Sequence, residues 1–366
     1  GEPVVSPRLD IVFGCFYLTS FLEGARGDGK IFASKNEAIL AYQHGLLHPR
    51  AKIKVKMQLE KTKDEKEKII ETSLGRILFN NILPEEIPFQ NLEMDSKTLK
   101  KLTTTVFDSY GMTITAEVVD KIKKIGFEFA GYSGMTISAD DIIIPEEKKK
   151  ILTHGDQELE EIDNQFQRGL ITDQERNIKT IELWNGTRTR LEKEMLKEFD
   201  ASNPVFVMII SGARGSVAQV TQMGGMKGLV VNPAGEIIEL PIKSNYKEGL
   251  SVIEYFISTH GARKGKSDTS LRTSEAGYLT RRLVDVAHDI VITTKDCQTQ
   301  EGLNILRKEA EEIDESFADK ILGRVAFEDI QVGKTIIVGK NQEINEEKSR
   351  QIQEGKLEEV KVRSIL

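Results

Sequence analysis

The chain has 366 residues, 39% of them hydrophobic, enough to bury a sizeable interior and long enough for two or three domains instead of one. Its 51 Lys and Arg face 58 Asp and Glu, a formal charge of −7, so bulk electrostatics give no sign of a nucleic-acid partner and any such signal has to be local. Only Cys15 and Cys297 occur, far apart in sequence, which excludes a disulfide framework and suits a reducing cytoplasm.

The most apolar early run, Ile11 to Leu22, is broken by Gly14, Thr19 and Ser20, is too short to span a bilayer and follows no basic leader. It reads as a buried strand or a short helix. The chain opens on Gly1 and stops on Ile365-Leu366 without tapering into polar residues, as a piece of a longer protein does. Residues 1 to about 90 read as strand territory with insertions: Lys52 to Met57 alternates polar and apolar residues, and Glu60 to Lys68 is a charged, solvated excursion. Two helices follow, Lys97 to Tyr110 and Ala116 to Ala130, each ended by a glycine.

Between Pro145 and Phe199, apolar residues recur at coiled-coil spacing: Leu152, Leu159, Ile162 and Phe166, then Ile181, Trp184, Leu191 and Met195. This predicts an antiparallel helical hairpin with strongly charged flanks, standing largely in water as a docking surface. Gly169 marks its tip as a C-cap, and Thr172 with Glu175 forms the capping box that restarts the helix. From Asn203 the chain becomes glycine-rich. Asn232-Pro233-Ala234-Gly235, flanked by β-forming residues, signals a hairpin turn, and Gly249 to about Asp289 has helical character over an unusual length.

Gly261-Ala262-Arg263-Lys264-Gly265-Lys266-Ser267 has the look of a phosphate-binding P-loop, but only three residues separate its glycines where that motif needs four. Read as helix, Gly261 to Arg282 carries six basic residues (Arg263, Lys264, Lys266, Arg272, Arg281 and Arg282) against Asp268 and Glu275, a local charge of +4 in an acidic chain. Such a rod can lie along phosphates. Three glycines weaken this helix, each by roughly 0.5 to 1 kcal/mol relative to alanine. Beyond Gly277 an apolar stripe of Leu279, Leu283, Val286, Ala287 and Ile290 is expected to anchor its far end. Gly265 and Gly277 are therefore the candidate hinges.

Ser211-Gly212-Ala213-Arg214-Gly215-Ser216 sets one arginine among small residues, so that a guanidinium and nearby amides can approach an anion closely. Cys297 has no partners at zinc-site spacing. No alternating-aspartate cluster able to hold two Mg²⁺ ions occurs, and no Ser/His/Asp or Cys/His arrangement has supporting context. These residues supply no self-sufficient chemistry.

The run from Asn203-Pro204 through Ser211 to Ser216, Gln219, Gln222-Met223, Gly228-Leu229 and Asn232 to Ile238 resembles the stretch of the largest subunit (β′) of bacterial multisubunit DNA-directed RNA polymerases that passes through the F-loop. Glu248-Gly249-Leu250, Tyr255 to Gly265 and Gly277 to Val286 resemble that family's bridge helix nearly residue for residue, and looser, collinear similarity extends over the rest. The resemblance implies an α+β, multidomain, predominantly helical fold. Residues 1–143 would be a β-containing pore module, and 144–247 the funnel, with a protruding rim-helix hairpin at 146–199 and the F-loop at about 222–247. Residues 248–290 would be the long bridge helix, and 291–366 the start of a zinc-binding cleft segment.

By the same resemblance, Arg214 meets the NTP triphosphate, Thr273 and Ser274 abut the template base, and Tyr278 and Arg281 lie near nucleic acid. The family usually has alanine where this chain has Ser274. Cys297 corresponds to the first ligand of a zinc site completed elsewhere. The complete enzyme of the family uses Mg²⁺ and Zn²⁺, and the implied chemistry is template-directed nucleotidyl transfer with metals held by other segments. Implied partners are DNA template, RNA and NTPs, the β, α, ω and σ subunits, and transcript-cleavage or secondary-channel factors at the hairpin. The implied setting is the cytoplasm at the nucleoid, or a plastid, with no membrane role. Two other readings of the residues are a non-catalytic scaffold presenting the hairpin and a P-loop NTPase.

Overall fold

The computed structural model describes residues 5–57, 68–291, 293, 301–313, 315–333, 335–355 and 357–363. The chain forms two units, Glu2–Arg272 and Thr273–Leu366. In chain order the first begins with α1 (Asp10–Thr19), β1 (Ile31–Phe32), α2 (Lys35–Gln43), β2 (Lys52–Met57), β3 (Lys68–Ser73), α3 (Leu74–Asn80) and α4 (Ser96–Ser133). It continues through α5 (Lys148–Gln167), α6 (Asp173–Glu198), α7 (Pro204–Ile210), α8 (Val217–Val220) and into α9 (Val252–His288), which crosses from one unit to the other.

Helix α1 is the hub of the first core. Its Val12, Cys15 and Leu18 are fully buried against Phe79, Met94, Leu99, Val106 and Ile122. Burial pushes the Cys15 thiol up to about 12, so it packs as a small apolar residue. Two glycines set the crossing of α1 and α4: a Cβ on Gly14 would lie 1.8 Å from the Gly126 carbonyl oxygen, and one on Gly126 would lie 2.7 Å from that of Ile11. Gly75 does the same for α3, where a Cβ would fall 1.9 Å from the Leu18 carbonyl oxygen. At the end of α1 the buried Arg76 donates from Nε to the Thr19 carbonyl (2.8 Å) and from Nη1 to that of Asn91 (2.9 Å), with its guanidinium 4.0 Å above the Phe21 ring.

Strands β1, β2 and β3 form one sheet in that order, β1 parallel and β2 antiparallel to its next neighbour. The alternation read in Lys52–Met57 is realised, with Ile53, Val55 and Met57 inward and the three lysines outward. Reading all of residues 1–90 as strand territory understated the helices, since α1, α2 and α3 lie here. An apolar run packed on most sides has no period to separate helix from strand. Most of the charged stretch at 60–68 lies outside the described residues. The two helices expected at 97–110 and 116–130 form α4, with Gly111 (φ +73°) as the kink between them. The second starts at once after the kink and runs past Gly131 to Gly134 (φ +55°), where the left-handed backbone ends it.

Helices α5 and α6 make the expected hairpin. Trp184, Leu191 and Met195 are buried, and Leu152 and Leu159 pack against Trp184 and Leu191. Gly155 leaves room for the indole, since its Cβ would stand 3.4 Å from Cζ3 of Trp184. At the tip Gly169 has φ +70°. The Thr172 hydroxyl accepts from the Glu175 amide (3.3 Å), while the Glu175 carboxylate accepts from the Thr172 amide (2.8 Å).

In the second unit β4 (Gly302–Leu306) pairs antiparallel with β7 (Glu359–Arg363), and β5 (Ile330–Val332) with β6 (Thr335–Val338). The short helices α10 (Arg307–Glu311), α11 (Phe317–Ile321) and α12 (Glu346–Glu354) close a separate core around Ile305, Phe317, Ile321, Ile344, Ile352 and Val362. No helix among the described residues is long and apolar enough to cross a membrane. The fold is α+β and predominantly helical, with small sheets and one long helix.

Gly14→Ala is expected to lower the melting temperature sharply, since forcing a methyl into a closed helix crossing costs about 1–3 kcal/mol or more. Gly131→Ala, on the same helix pair but with nothing within 4 Å of its Cβ, is expected to leave melting unchanged or raise it. Equal melting curves for the two variants would refute the glycine-set crossing.

Candidate nucleotide and nucleic-acid interface

The loop carrying Arg214 runs from the C-terminal end of α7, where the Ser211 amide donates to the Val207 carbonyl (3.0 Å), to the N-terminal cap of α8. Asn203 caps α7, its Oδ1 accepting from the Val205 and Phe206 amides (3.0 and 3.2 Å), and Pro204 fills the first helical position. Ser216 and Gln219 form the capping box of α8. Between them Gly212 (φ +68°) and Gly215 (φ +83°) turn the chain so that Ala213 is buried and Arg214 is exposed.

The amides of Gly212, Ala213, Arg214 and Ser216 are already bonded, to Ile209 O, Ser211 Oγ, Met208 O and Gln219 Oε1. The loop therefore offers an anion its guanidinium and not the cradle of amides expected from its sequence. Among the described residues the Arg214 side chain has no ion pair or hydrogen bond. It borders a cleft of about 500 Å³ with Leu9, Phe13, Phe127, Met135 and Met208.

Helix α9 is started by a cap with a Ser-x-x-Glu signature. Ser251 and Glu254 bond reciprocally, amide to Oε2 at 3.0 Å and amide to Oγ at 3.4 Å. The same carboxylate accepts from the Ser244 amide (3.2 Å) and hydroxyl (2.9 Å). Partial burial opposes ionisation of Glu254, but the Ser251 and Ser244 donors outweigh it and hold the carboxyl at about 2. The fully buried Asn245 donates to the Gly224 carbonyl (2.8 Å) and accepts from the Glu248 amide (2.7 Å), fixing the approach to the helix.

The turn read at Asn232–Gly235 is present, with the Gly235 amide on the Asn232 carbonyl (3.0 Å) and bridges at Val231–Ile237 and Gly228–Ile242. This hairpin rests on α9. Lys264 donates to the Pro233 carbonyl (3.1 Å), Lys227 donates to the Ser258 hydroxyl, and the Val231 carbonyl oxygen faces Gly261. Lys264 is thus one basic residue of α9 with a structural partner.

Arg263, Lys266, Arg272, Arg281 and Arg282 are exposed, as are Thr273, Ser274 and Tyr278. Ser274, Tyr278 and Arg281 fall at i, i+4 and i+7, hence on one face. The Arg282 guanidinium lies 4.6 Å from the Tyr278 ring centre, and Arg281 stands 3.9 Å from Asp285. The helix is continuous through Gly265 and Gly277, and a Cβ on either would meet nothing within 4 Å.

The expected anchoring of α9 by Leu279, Leu283, Val286, Ala287 and Ile290 is not found. Leu279 is 49% exposed and Val286 73%, because no described residue covers this face. Among the described residues no three His, Cys, Asp or Glu side chains gather to hold a metal ion. Cys297 lies outside the described residues.

Family models agree with this arrangement in chain order. RNA polymerase Rpb1, domain 3 matches residues 1–142, domain 4 matches 171–247 and domain 5 matches 249–354. The DNA-directed RNA polymerase subunit beta′ of Caldanaerobacter subterraneus subsp. tengcongensis is 46% identical over 381 residues, covering 100% of this chain and 32% of that protein. The subunit of the same name from Thermoanaerobacter sp. (strain X514) is 46% identical over 382 residues with the same coverage. That of Dehalococcoides mccartyi is 45% identical over 369 residues, covering 100% of this chain and 28% of its own length. The chain thus spans about a third of the length of the curated relatives it matches. It belongs to the family of the largest subunit of DNA-directed RNA polymerases, in its bacterial beta′ form.

Proposed function

We propose that this chain is part of a DNA-directed RNA polymerase and lines its active centre and nucleotide-entry channel, positioning template and incoming NTP during nucleotidyl transfer. The observation that carries this reading is an exposed arginine, set in the turn between α7 and the capped start of α8 and free of ionic partners among the described residues, in a chain of the polymerase beta′ family. Residues 1–143 then serve as the pore module, 144–247 as the funnel, 248–290 as the bridge helix and 291–366 as the start of the zinc-binding cleft segment. Mg²⁺ and Zn²⁺ would belong to the complete enzyme, held by other segments.

Arg214 supplies charge to the triphosphate. The exposed Arg263, Lys266, Arg272, Arg281 and Arg282 attract the phosphate backbone, while Thr273, Ser274 and Tyr278 present short or flat surfaces to the template. The other polymerase subunits, DNA and RNA are the partners this reading requires, in the cytoplasm. The charged hairpin of α5 and α6 fits a transcript-cleavage or secondary-channel factor, since Leu170 at its tip is 69% exposed.

In an intact polymerase carrying this segment, Arg214→Ala is expected to raise the apparent KM for NTPs about tenfold or more, because a charge-assisted hydrogen bond contributes about 1.5–3 kcal/mol. An unchanged NTP dependence in steady-state elongation would refute the assignment. Leu170→Asp changes only an exposed apolar side chain, so basal elongation should persist while stimulation by a cleavage factor falls. Loss of basal elongation would make the tip structural. Gly277→Ala adds a methyl into open space and favours the helix by roughly 0.5–1 kcal/mol. A hinge role predicts altered single-turnover nucleotide addition with melting unchanged or raised; an unaltered addition rate would sink the hinge.

A further inference from the structure

We infer that Glu239 is a positioning residue for α9, clamping the 228–242 hairpin to α6 so that this hairpin braces the first half of the long helix. The positioning stands on contacts within the first unit, and only its consequence for nucleotide addition rests on the polymerase reading.

Two isolated bridges, Gly228–Ile242 and Val231–Ile237, are all the β pairing this hairpin has. A two-stranded hairpin of that kind is marginal on its own, so its outer attachments decide where it sits. On one side, Glu239 receives Arg176 in a bidentate pair, Nη1 to Oε2 at 2.7 Å and Nη2 to Oε1 at 3.0 Å. Asn177 adds a third bond to Oε1 at 2.8 Å. Arg176 is itself fixed by Asp173 (3.0 Å) and lies 5.3 Å from the Phe166 ring centre, which ties the clamp to both helices just behind the tip.

The Arg176 and Glu239 side chains are only 20% and 35% exposed. A planar, bidentate, networked pair of this kind holds geometry in a way an isolated surface ion pair does not. Opposite it, the hairpin and the adjoining Lys227 meet α9 at three positions about one helical turn apart, Lys227 at Ser258, Val231 at Gly261 and Pro233 at Lys264. Ser258 is the one buried residue of α9. The hairpin is therefore the brace over these turns, and α6 is what holds the brace in place.

Hydrogen exchange of the amides at 258–266, followed by mass spectrometry on the full chain, tests this. Glu239→Ala and Arg176→Ala are each expected to speed exchange there by a similar factor, about two- to twentyfold, with the double variant no faster than either. Glu239→Gln, which retains an acceptor for Asn177, should fall between wild type and Glu239→Ala. Faster exchange confined to 173–180 and 228–242, with wild-type rates at 258–266, would overturn the proposal. In the intact polymerase, Glu239→Ala should slow nucleotide addition at saturating NTP without moving the KM. Faster α9 exchange with an unchanged addition rate would refute the role of α9 in catalysis while leaving the positioning in place.

Discussion

A helix of 37 residues with a single buried side chain cannot be held by its own packing, so the fixing of its first turns governs what α9 can do. That fixing is polar. Glu254 caps the helix and holds Ser244 at once, Asn245 locks the preceding loop, and along the next turns Lys227 donates to Ser258 and Lys264 donates to Pro233 of the 228–242 hairpin. Beyond Lys264 the helix presents basic and small residues to solvent, and beyond Gly277 an uncovered apolar face. A rod fixed at one end and open along its length suits a surface that other macromolecules must reach.

Glycine serves opposite ends in the two regions of this chain. At Gly14, Gly75 and Gly126 a neighbouring backbone occupies the place of a side chain, and the closeness locks α1 into the core. At Gly265 and Gly277 nothing stands nearby, so the missing side chain contributes no contact and only lowers the cost of distorting the helix. One residue type therefore makes the core rigid and the exposed helix soft. The distinction lies wholly in what surrounds each position.

Charge follows the same local logic. The chain is acidic overall, with a formal charge of −7, yet arginines and lysines gather on α9 and one arginine stands alone at the turn between α7 and α8. Acidic residues elsewhere are spent on structure: Glu175 and Glu254 cap helices, Glu239 clamps Arg176, and Asp156 pairs with Lys243 at 2.5 Å.

The sequence by itself determined the elements whose signals are local. The alternation of β2, the capped hairpin of α5 and α6 with its tip at Gly169, the turn at Asn232–Gly235 and the long glycine-interrupted helix all follow from side-chain period and cap chemistry within a few residues. Family membership was legible for the same reason, in contiguous motifs around Arg214 and along α9. The cap formed by Ser251 and Glu254 lay within reach of the same reasoning. Tertiary structure alone decided the rest. How closely α1 packs depends on Gly126 and Gly75 approaching from distant segments, and that the Gly212 and Arg214 amides are occupied depends on how α7 ends. The apolar stripe beyond Gly277 announced a partner, but periodicity specifies only which face is apolar. What clamps Glu239 is set by Arg176 and Asn177 far away in the chain, and no local pattern encodes them.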